Sequence, residues 1–155
     1  MAGFKFDKVY YSDIDKYANK VYAKNYPDAI PLGDITKINP KDIMDVDIIT
    51  AGFPCQDISV AGKQKGINAE RSGLFFEIIR IANICKPKLL FLENVRNLLS
   101  GENGKWMETV ILEINSMGYS CEWQIISASD VGAWHKRERI WIIAYKNDFL
   151  GDIFR

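Results

Sequence analysis

Short apolar runs alternate with helical patterns along this chain, and that alternation limits the folds it can adopt. Strands are predicted at residues 6–12, 47–51, 89–93, 119–127 and 140–145. Helices are predicted at residues 15–26, 74–85 and 103–117, with stops at Pro27, Pro87 and Gly118. Strands that alternate with helices indicate an α/β domain with a mostly parallel sheet. Because the runs at 47–51 and 89–93 are uninterrupted, both strands are expected to be buried on both faces.

Reactive side chains follow three of the predicted strands. Asp13, Cys55 and Glu93 each lie at the end of an apolar run or just beyond it. Open α/β sheets bind their ligands beyond the carboxyl ends of the strands. We therefore expect these three residues to share one edge of the sheet. The polar segment 59–72, which contains glycines, is predicted to be a long functional loop.

Cys55 is the first candidate for chemistry. It stands just past a predicted strand, between Pro54 and Gln56, where a thiolate would be held and exposed. Such a thiolate could add to an electron-poor carbon. The alternative is that Cys55 is a small buried hydrophobe, which is the commoner role of a free cysteine. Cys85 and Cys121 fall at apolar positions of a predicted helix and a predicted strand, so both are expected in the core.

Glu93 and two arginines could complete a site with Cys55. A carboxyl group behind the apolar run 89–92 could act as an acid. Arg137 and Arg139 stand two apart before a strand, so they should point the same way and could hold a phosphate or a carbonyl oxygen. Each group also has a plainer interpretation. Glu93 could simply pair at a strand end, and residues 135–139 could form a solvated charged turn.

Charge and cysteine content argue against two classes of protein, a self-sufficient DNA-binding protein and a metal-binding protein. The 155 residues fit one domain, and 20 basic residues balance 20 acidic ones, so the chain lacks the basic surface of a self-sufficient DNA-binding protein. Three separated cysteines and the single His135 do not make a metal site, and they suggest a reducing, intracellular compartment. We expect no metal, no signal peptide and no membrane span.

Six strings, taken in order, resemble the DNA (cytosine-5) methyltransferases. They are SDIDKYA, GDIT, GFPCQDISVAGKQKG, RSGLFFEIIRI, FLENVRNLL and KRERIWIIA, and together they extend over nearly the whole chain. The resemblance implies a Rossmann-like fold that depends on S-adenosylmethionine. It also implies that residues 1–155 form a single, partial catalytic domain.

The resemblance implies covalent chemistry on a cytosine flipped out of double-stranded DNA. Cys55 would add to carbon 6, Glu93 would hydrogen-bond or protonate ring nitrogen 3, and carbon 5 would accept the methyl group. Arg137 and Arg139 would fix the base and the nearby backbone. The residues implied to contact DNA, or to orient the loop that does so, are Gln56, Ser59, Lys63 and Asn94.

A site for S-adenosylmethionine is implied as well. Asp13 would accept hydrogen bonds from the ribose hydroxyls, and Asp34 would meet the adenine amino group. Ile14 and Ile35 would sandwich the adenine. The methionine side would be lined by Pro54 and Leu74.

Departures from the family pattern modify these expectations. The first strand and glycine-rich loop of the family, and its target recognition domain, have no counterpart in this sequence. The cofactor site is therefore expected to be incomplete, and a complementary chain could supply the missing segments. Ile14 replaces a common aromatic residue, while Trp134 and His135 replace a common proline and glutamine. His135 either substitutes as a hydrogen-bonding group or is a drifted position.

Two functions remain open on this basis, besides an unrelated nucleotide-binding α/β protein in which Cys55 would have no role. One is an enzyme segment that methylates cytosine in DNA together with further segments or a partner chain. The other is an inactive remnant that at most binds DNA or a partner. The location implied is cytoplasmic, and nucleoid-associated in a bacterium or a phage system.

Overall fold

The computed structural model describes residues 5–54 and 73–146. Its helices are α1 (Lys16–Asn25), α2 (Leu74–Cys85) and α3 (Lys105–Ser116). Its strands are β1 (Tyr10–Tyr11), β2 (Ile30–Pro31), β3 (Ile48–Gly52), β4 (Leu89–Val95), β5 (Tyr119–Ser127) and β6 (Glu138–Lys146). Short 3-10 turns occupy Ile35–Lys37, Pro40–Ile43, Arg96–Leu99, Gly101–Gly104 and Ser129–Val131.

The strands form two sheets, and the larger one is mixed. β1 and β2 pair in parallel, and the other strands are ordered β3-β4-β6-β5. β3 is parallel to β4, whereas β6 is antiparallel to both β4 and β5. The prediction of a mostly parallel sheet was therefore wrong. The connection between β5 and β6 comprises only residues 128–137, and parallel neighbours need a crossover of roughly a dozen residues or more.

One face of the larger sheet forms the hydrophobic core. Leu90, Leu92 and Ile142 are 0% exposed and pack in one cluster with residues of α2 and α3. Phe75 of α2 and Ile114 of α3 are equally buried in this cluster. Burying each such side chain contributes roughly 1.5–3 kcal/mol. The two helices thus fix the positions of β4 and β6.

The other face of the larger sheet, called here the open face, carries apolar side chains that no described helix covers. Phe91 stacks on Trp141 with ring centroids 5.2 Å apart, and Ile143 is 40% exposed. The open-face residues of β5 are Glu122, Gln124 and Ile126. β3 and β4 are therefore not buried on both faces as predicted: β4 alternates between buried and partly buried residues. An uninterrupted apolar run does not reveal whether both faces are covered.

The predicted elements agree best with the structure where clear stop signals bound them. The predicted bounds of α2 and β5 are confirmed, and those of α1, α3, β4 and β6 shift by at most two residues. The strand predicted at 6–12 forms only at Tyr10–Tyr11, and β2 was not predicted. Tyr17 and Val21 share a face of α1 by spacing, yet they are 74% and 61% exposed, and none of the described residues of α1 is buried.

The two described cysteines lie in apolar surroundings, as expected. Cys85 is 7% exposed and its thiol donates to the Pro40 carbonyl at 3.4 Å. Cys121 is partly buried and packs against the main core. Burial raises the pKa of both thiols, so both are poor nucleophiles at neutral pH.

Candidate active site

Two buried contacts fix the chain where it leaves β3 for Cys55. The Phe53 side chain is 5% exposed, and its ring centroid lies 4.9 Å from that of Phe75. The Asn94 side chain, 2% exposed, donates from its amide nitrogen to the Phe53 carbonyl at 2.7 Å. Its oxygen accepts from the Val95 amide at 2.8 Å. The path into residue 55 therefore starts from a rigid point, although Cys55 itself lies outside the described residues, as do Gln56, Ser59 and Lys63.

Glu93 and Arg139 form an ion pair at the edge of the sheet where β4 ends and β6 begins. The Arg139 Nε lies 2.6 Å from Glu93 Oε1, and the two side chains are 23% and 32% exposed. The pair forms because β6 is antiparallel to β4, which places Arg139 opposite Val95. Opposite charges attract one another more strongly where they are partly shielded from water than in bulk solvent. Glu93 is thus oriented while it remains open to solvent.

Gly52 makes room for the second oxygen of Glu93. The two residues are register partners on neighbouring strands. A Cβ at position 52 would lie 3.1 Å from Glu93 Oε2, closer than ordinary contact allows. No described residue donates a hydrogen bond to this oxygen. The carboxylate therefore has one oxygen held by Arg139 and one available at the edge.

Arg137 and Arg139 line one groove on the open face. The groove has a volume of about 590 Å³ and is lined mainly by apolar side chains, among them Phe91, Trp123 and Trp141. The Arg137 backbone has φ of 29°, an uncommon conformation for a residue other than glycine. The arrangement brings two guanidinium groups and aromatic faces together. Such a groove can hold a planar, polar group beside a negative charge.

A second cavity, of about 450 Å³, lies at the far end of the sheet. It is lined by the end of α2, the start of β5 and Lys146. It lies away from Glu93 and the arginines, because Tyr119 and Lys146 pair at the opposite end of β5 and β6 from Glu138. We do not assign it to the site.

The predicted cofactor residues lie at the ends of β1 and β2. The Ser12 hydroxyl donates to the Gly33 carbonyl at 2.6 Å, which joins the two parallel strands just past their ends. Asp34 Oδ1 accepts from the backbone nitrogen and the hydroxyl of Thr36 at 3.0 and 2.8 Å. The Thr36 hydroxyl is the main cause of the lowered pKa of Asp34. Asp13 Oδ1 accepts from the Asp15 amide at 2.7 Å.

The predicted cofactor residues place carboxylates next to apolar side chains. Ile14 is 81% exposed beside Asp13, and Ile35 is partly buried beside Asp34, so an apolar surface stands next to each carboxylate. Oδ2 of Asp13 has no hydrogen-bond donor among the described residues, whereas Oδ2 of Asp34 lies 3.7 Å from Lys37 Nζ. Pro54 is exposed and Leu74 is 40% exposed. The structure thus groups Asp13, Ile14, Asp34 and Ile35 at one pair of strand ends and Pro54, Glu93, Asn94, Arg137 and Arg139 at the other.

Sequence reasoning missed three contributors to this edge. A side chain at Gly52 would crowd Glu93 Oε2, and the buried Phe53 side chain anchors the segment that leads to residue 55. Glu138, between the two arginines, is bonded to Arg96. The only sequence signal was proximity, because each of these residues lies within two positions of a predicted site residue. His135 and Trp134 are exposed, Trp134 to 99%, and the structure gives no account of them.

The described part of the chain contains neither a membrane-spanning helix nor a metal-binding cluster. None of the helices described has the length and apolar content needed to cross a membrane. Within residues 5–54 and 73–146, no group of three or more histidine, cysteine or acidic side chains could hold a metal ion.

Comparison with known proteins decides the family. The sequence model of the family described as C-5 cytosine-specific DNA methylase matches residues 1–152. The chain belongs to this family. Members of the C-5 cytosine-specific DNA methylase family use S-adenosylmethionine and bind DNA. The Glu93–Arg139 pair and the anchored segment before Cys55 both lie within the residues that the family model matches.

Individual relatives support the same assignment. The type II methyltransferase M.HhaI of Haemophilus parahaemolyticus is 47% identical over 140 residues, which is 90% of this chain and 42% of M.HhaI. M.BsuFI of Bacillus subtilis is 41% identical over 90% of this chain and 34% of its own length. A solved structure of a Spodoptera frugiperda DNMT2 variant superposes with a TM-score of 0.75 at 25% identity, over 94% of this chain and 44% of that one. The chain thus spans less than half the length of these relatives.

Proposed function

We propose that this chain is a catalytic segment of a DNA (cytosine-5) methyltransferase, with residues 1–155 forming one partial domain. The observation that carries the proposal is the Glu93–Arg139 pair at 2.6 Å, located at the edge where the chain is fixed on its way to Cys55. An isolated surface pair would not need Gly52 to clear space for Glu93, nor Asn94 to fix the backbone two residues before the cysteine.

In the proposed chemistry, Cys55 is the nucleophile and Glu93 the group that activates the ring. The thiolate adds to carbon 6 of a flipped cytosine, and the carbon–sulfur bond forms as electron density moves to carbon 5. Glu93 hydrogen-bonds or protonates ring nitrogen 3, which favours this addition. S-adenosylmethionine, when bound, supplies the methyl group. Transfer of the carbon 5 proton to solvent water restores the double bond of the ring, and cleavage of the carbon–sulfur bond returns its electron pair to sulfur and releases the Cys55 thiolate.

The remaining site residues hold the substrate. Arg139 keeps Glu93 in place, and with Arg137 it binds the base and the adjacent backbone. Asn94 holds the Phe53 carbonyl and so would orient the segment that leads to Cys55. Gln56, Ser59 and Lys63 are proposed to contact double-stranded DNA.

The cofactor would be held at the ends of β1 and β2. Asp13 and Asp34 would bind the ribose and the adenine amino group, between Ile14 and Ile35. Pro54 and Leu74 would line the methionine portion. These residues supply one side of the pocket, so tight binding requires further segments.

Further segments, of the same chain or of a complementary one, are proposed to complete the enzyme. Among the described residues no strand pairs with the outer edge of β3, and no helix covers the open face. Unpaired strand edges and apolar sheet faces are usually covered in a stable α/β domain. A bacterial or phage enzyme of this kind would act in the cytoplasm, at the nucleoid, and a role in restriction-modification follows the type II relatives.

The proposal is tested by trapping the covalent intermediate. Duplex DNA that contains 5-fluorocytosine is incubated with the chain, S-adenosylmethionine and the remaining segments of a full-length relative. Fluorine cannot leave carbon 5 as a proton does, so a denaturation-resistant adduct accumulates. Cys55→Ser should abolish the adduct, whereas Cys121→Ser should retain it.

Failure to form any adduct, with the remaining segments present, would reject the catalytic proposal. DNA retention without an adduct would instead support the alternative function, a DNA-binding remnant of such an enzyme. Titration calorimetry with S-adenosylmethionine is a separate measurement. The chain alone should bind it weakly or not at all, and binding should tighten when the remaining segments are added.

A further inference from the structure

A charged contact joins the end of β4 to the start of β6. Arg96 directly follows β4, and Glu138 is the first residue of β6. Arg96 Nη1 lies 2.9 and 3.0 Å from the two carboxylate oxygens of Glu138. Lys136 Nζ lies 3.5 Å from Glu138 Oε1. We refer to the contact of Arg96 with Glu138 as the clasp.

Glu138 also contacts the site through its backbone. Its carbonyl accepts a hydrogen bond from Arg139 Nη1 at 3.0 Å. The Arg139 guanidinium is therefore held at two points, by the Glu138 carbonyl at Nη1 and by Glu93 at Nε. Successive side chains of a strand point to opposite faces. Fixing the side chain of residue 138 therefore fixes the direction in which residue 139 points.

The turn before β6 is held in an uncommon conformation. Arg137 has φ of 29°, and the Ala128 amide donates to the carbonyls of Lys136 and Arg137 at 2.9 and 3.3 Å. Such a backbone persists only when the surrounding contacts determine it. The clasp is the side-chain contact next to this turn, so it stabilises the conformation that brings Arg137 to the groove.

We propose that Arg96 is a positioning residue that acts through Glu138 on Arg139 and Arg137. By holding the Glu138 carboxylate, it keeps the Arg139 guanidinium against Glu93 and maintains the turn that presents Arg137. The catalytic consequence rests on the proposed function, whereas the structural consequence does not.

Two other roles for Arg96 make different predictions. The Arg96 side chain is 58% exposed, and an exposed ion pair by itself adds little to stability. An exposed arginine at this edge could also bind a DNA phosphate directly. If the ion pair has no structural effect, its removal should leave the position of the Arg139 side chain unchanged. A phosphate contact would make Glu138 dispensable.

The structural part is tested by NMR on the full 155-residue chain labelled with nitrogen-15 at arginine. The exchange rate of the Arg139 Nε–H with water reports how closely this nitrogen is held against the Glu93 carboxylate. In Arg96→Gln this rate should rise about fivefold or more, because the guanidinium loses its fixed direction. Arg80 Nε, which lies 2.7 Å from Glu77 in α2, is the internal reference and should not change.

Three further variants sharpen the test. Glu138→Gln should raise the exchange rate of the Arg139 Nε–H as much as Arg96→Gln does. The double variant should give no further increase, because both substitutions remove the same contact. Arg96→Lys should restore part of the protection. An unchanged Arg139 exchange rate in Arg96→Gln would overturn the proposal. An equal rise in the Arg80 exchange rate would also overturn it, because the clasp would then stabilise the fold as a whole and not Arg139 in particular.

The catalytic part is tested in the 5-fluorocytosine assay with the remaining segments of a relative present. Arg96→Gln and Glu138→Gln should slow adduct formation by similar factors of about three to ten, with the salt dependence of DNA binding unchanged. A smaller salt slope in Arg96→Gln alone would identify a phosphate contact and overturn the positioning role. If the wild type gives no adduct, the proposed function fails while the NMR result still decides the clasp.

Discussion

At the scale of single residues, the site depends on buried and half-buried polar contacts rather than on exposed charges. Sequence reasoning proposed Glu93, Arg137 and Arg139 as site residues because reactive groups at strand ends stand out against apolar runs. It could not find Gly52, because the crowding of Glu93 Oε2 exists only once β3 and β4 pair in register. It also expected Glu93 and Arg139 at one site without predicting that they bond to each other. Contacts between side chains of neighbouring strands depend on the register of the two strands, and the sequence of one strand does not specify that register.

Asn94→Ala should lower the free energy of unfolding by about 1–3 kcal/mol, because the buried Phe53 carbonyl loses its donor. Urea denaturation followed by circular dichroism measures the change. Asn83→Ala, at an exposed position of α2, is the matched control and should have little effect. Equal effects of the two substitutions would show that the Asn94 bond does not stabilise the fold.

The Glu138 carboxyl group should titrate below its ordinary range. The Arg96 hydrogen bond is the main cause of its lowered pKa, and the charges of Arg96 and Lys136 add to it. A folded pKa below the unfolded one means that the group stabilises the fold fully above an ordinary pKa of 4.5. This contribution is lost as the pH falls through the lowered value.

Arg96→Gln should therefore move the pKa of Glu138 back towards its ordinary value. A carbon-13 NMR titration of the side-chain carboxyl groups measures this shift. Asp130 provides the control, because its pKa is lowered mainly by the Ser127 amide, which the substitution leaves in place. If Glu138 titrates identically in both proteins, Arg96 is not the group that holds it.

At the scale of elements, helix and strand boundaries were predictable where the sequence carries clear stops. α2 ends at Cys85 with Lys86 left-handed and Pro87 next, and β5 starts just after Gly118. β2 was missed because two residues, one of them proline, carry no periodic signal. The direction of β6 was predictable in principle, since residues 128–137 are too few for a crossover. The alternation of strands and helices earlier in the chain instead favoured a parallel β6, which was wrong.

Neighbouring residues of β6 should differ sharply in their contribution to stability. Ile142 is 0% exposed and faces the core, whereas Ile143 is 40% exposed on the open face. Ile142→Ala should lower the free energy of unfolding by about 2–5 kcal/mol because it leaves a cavity. Ile143→Ala should cost about 1 kcal/mol or less. Similar losses in chemical denaturation would mean that the open face is already packed in the isolated chain.

At the scale of the whole molecule, an apolar open face and an unpaired β3 edge stand next to a partly assembled site. The family was predictable from the ordered strings. The expectation that Asp13 and Glu93 share one edge of a sheet was wrong, because β1 pairs with β2 in a sheet separate from that of β4. The exposure of the open face was not predictable, because the sequence of a strand does not say which other element covers it. These exposed surfaces are the reason why further segments form part of the proposed function.

Ile143→Asp should weaken association with the remaining segments of a relative by tenfold or more, since a buried unpaired carboxylate is costly. Its cost to the free energy of unfolding of the chain alone should be smaller than that of Ile142→Asp, because Ile143 is 40% exposed and Ile142 is 0% exposed. Leu112→Asp, at a 60% exposed position of α3, is the matched control and should leave association intact. Titration calorimetry measures both. Undiminished association of Ile143→Asp would exclude the open face as the interface.

The antiparallel placement of β6 also sets the order in which the chain can fold. Ser127 and Glu138 pair across a short connection, whereas Val95 and Arg139 pair across a much longer one. Short loops close at lower entropic cost, so we expect the β5–β6 ribbon to form before β4 docks on it. Pulse-labelled hydrogen exchange would detect this as protection of the β5–β6 amides before those of β4. Glu93 and Arg139 then meet only at the docking step, so the charge pair of the site forms late in folding and cannot serve as its nucleus.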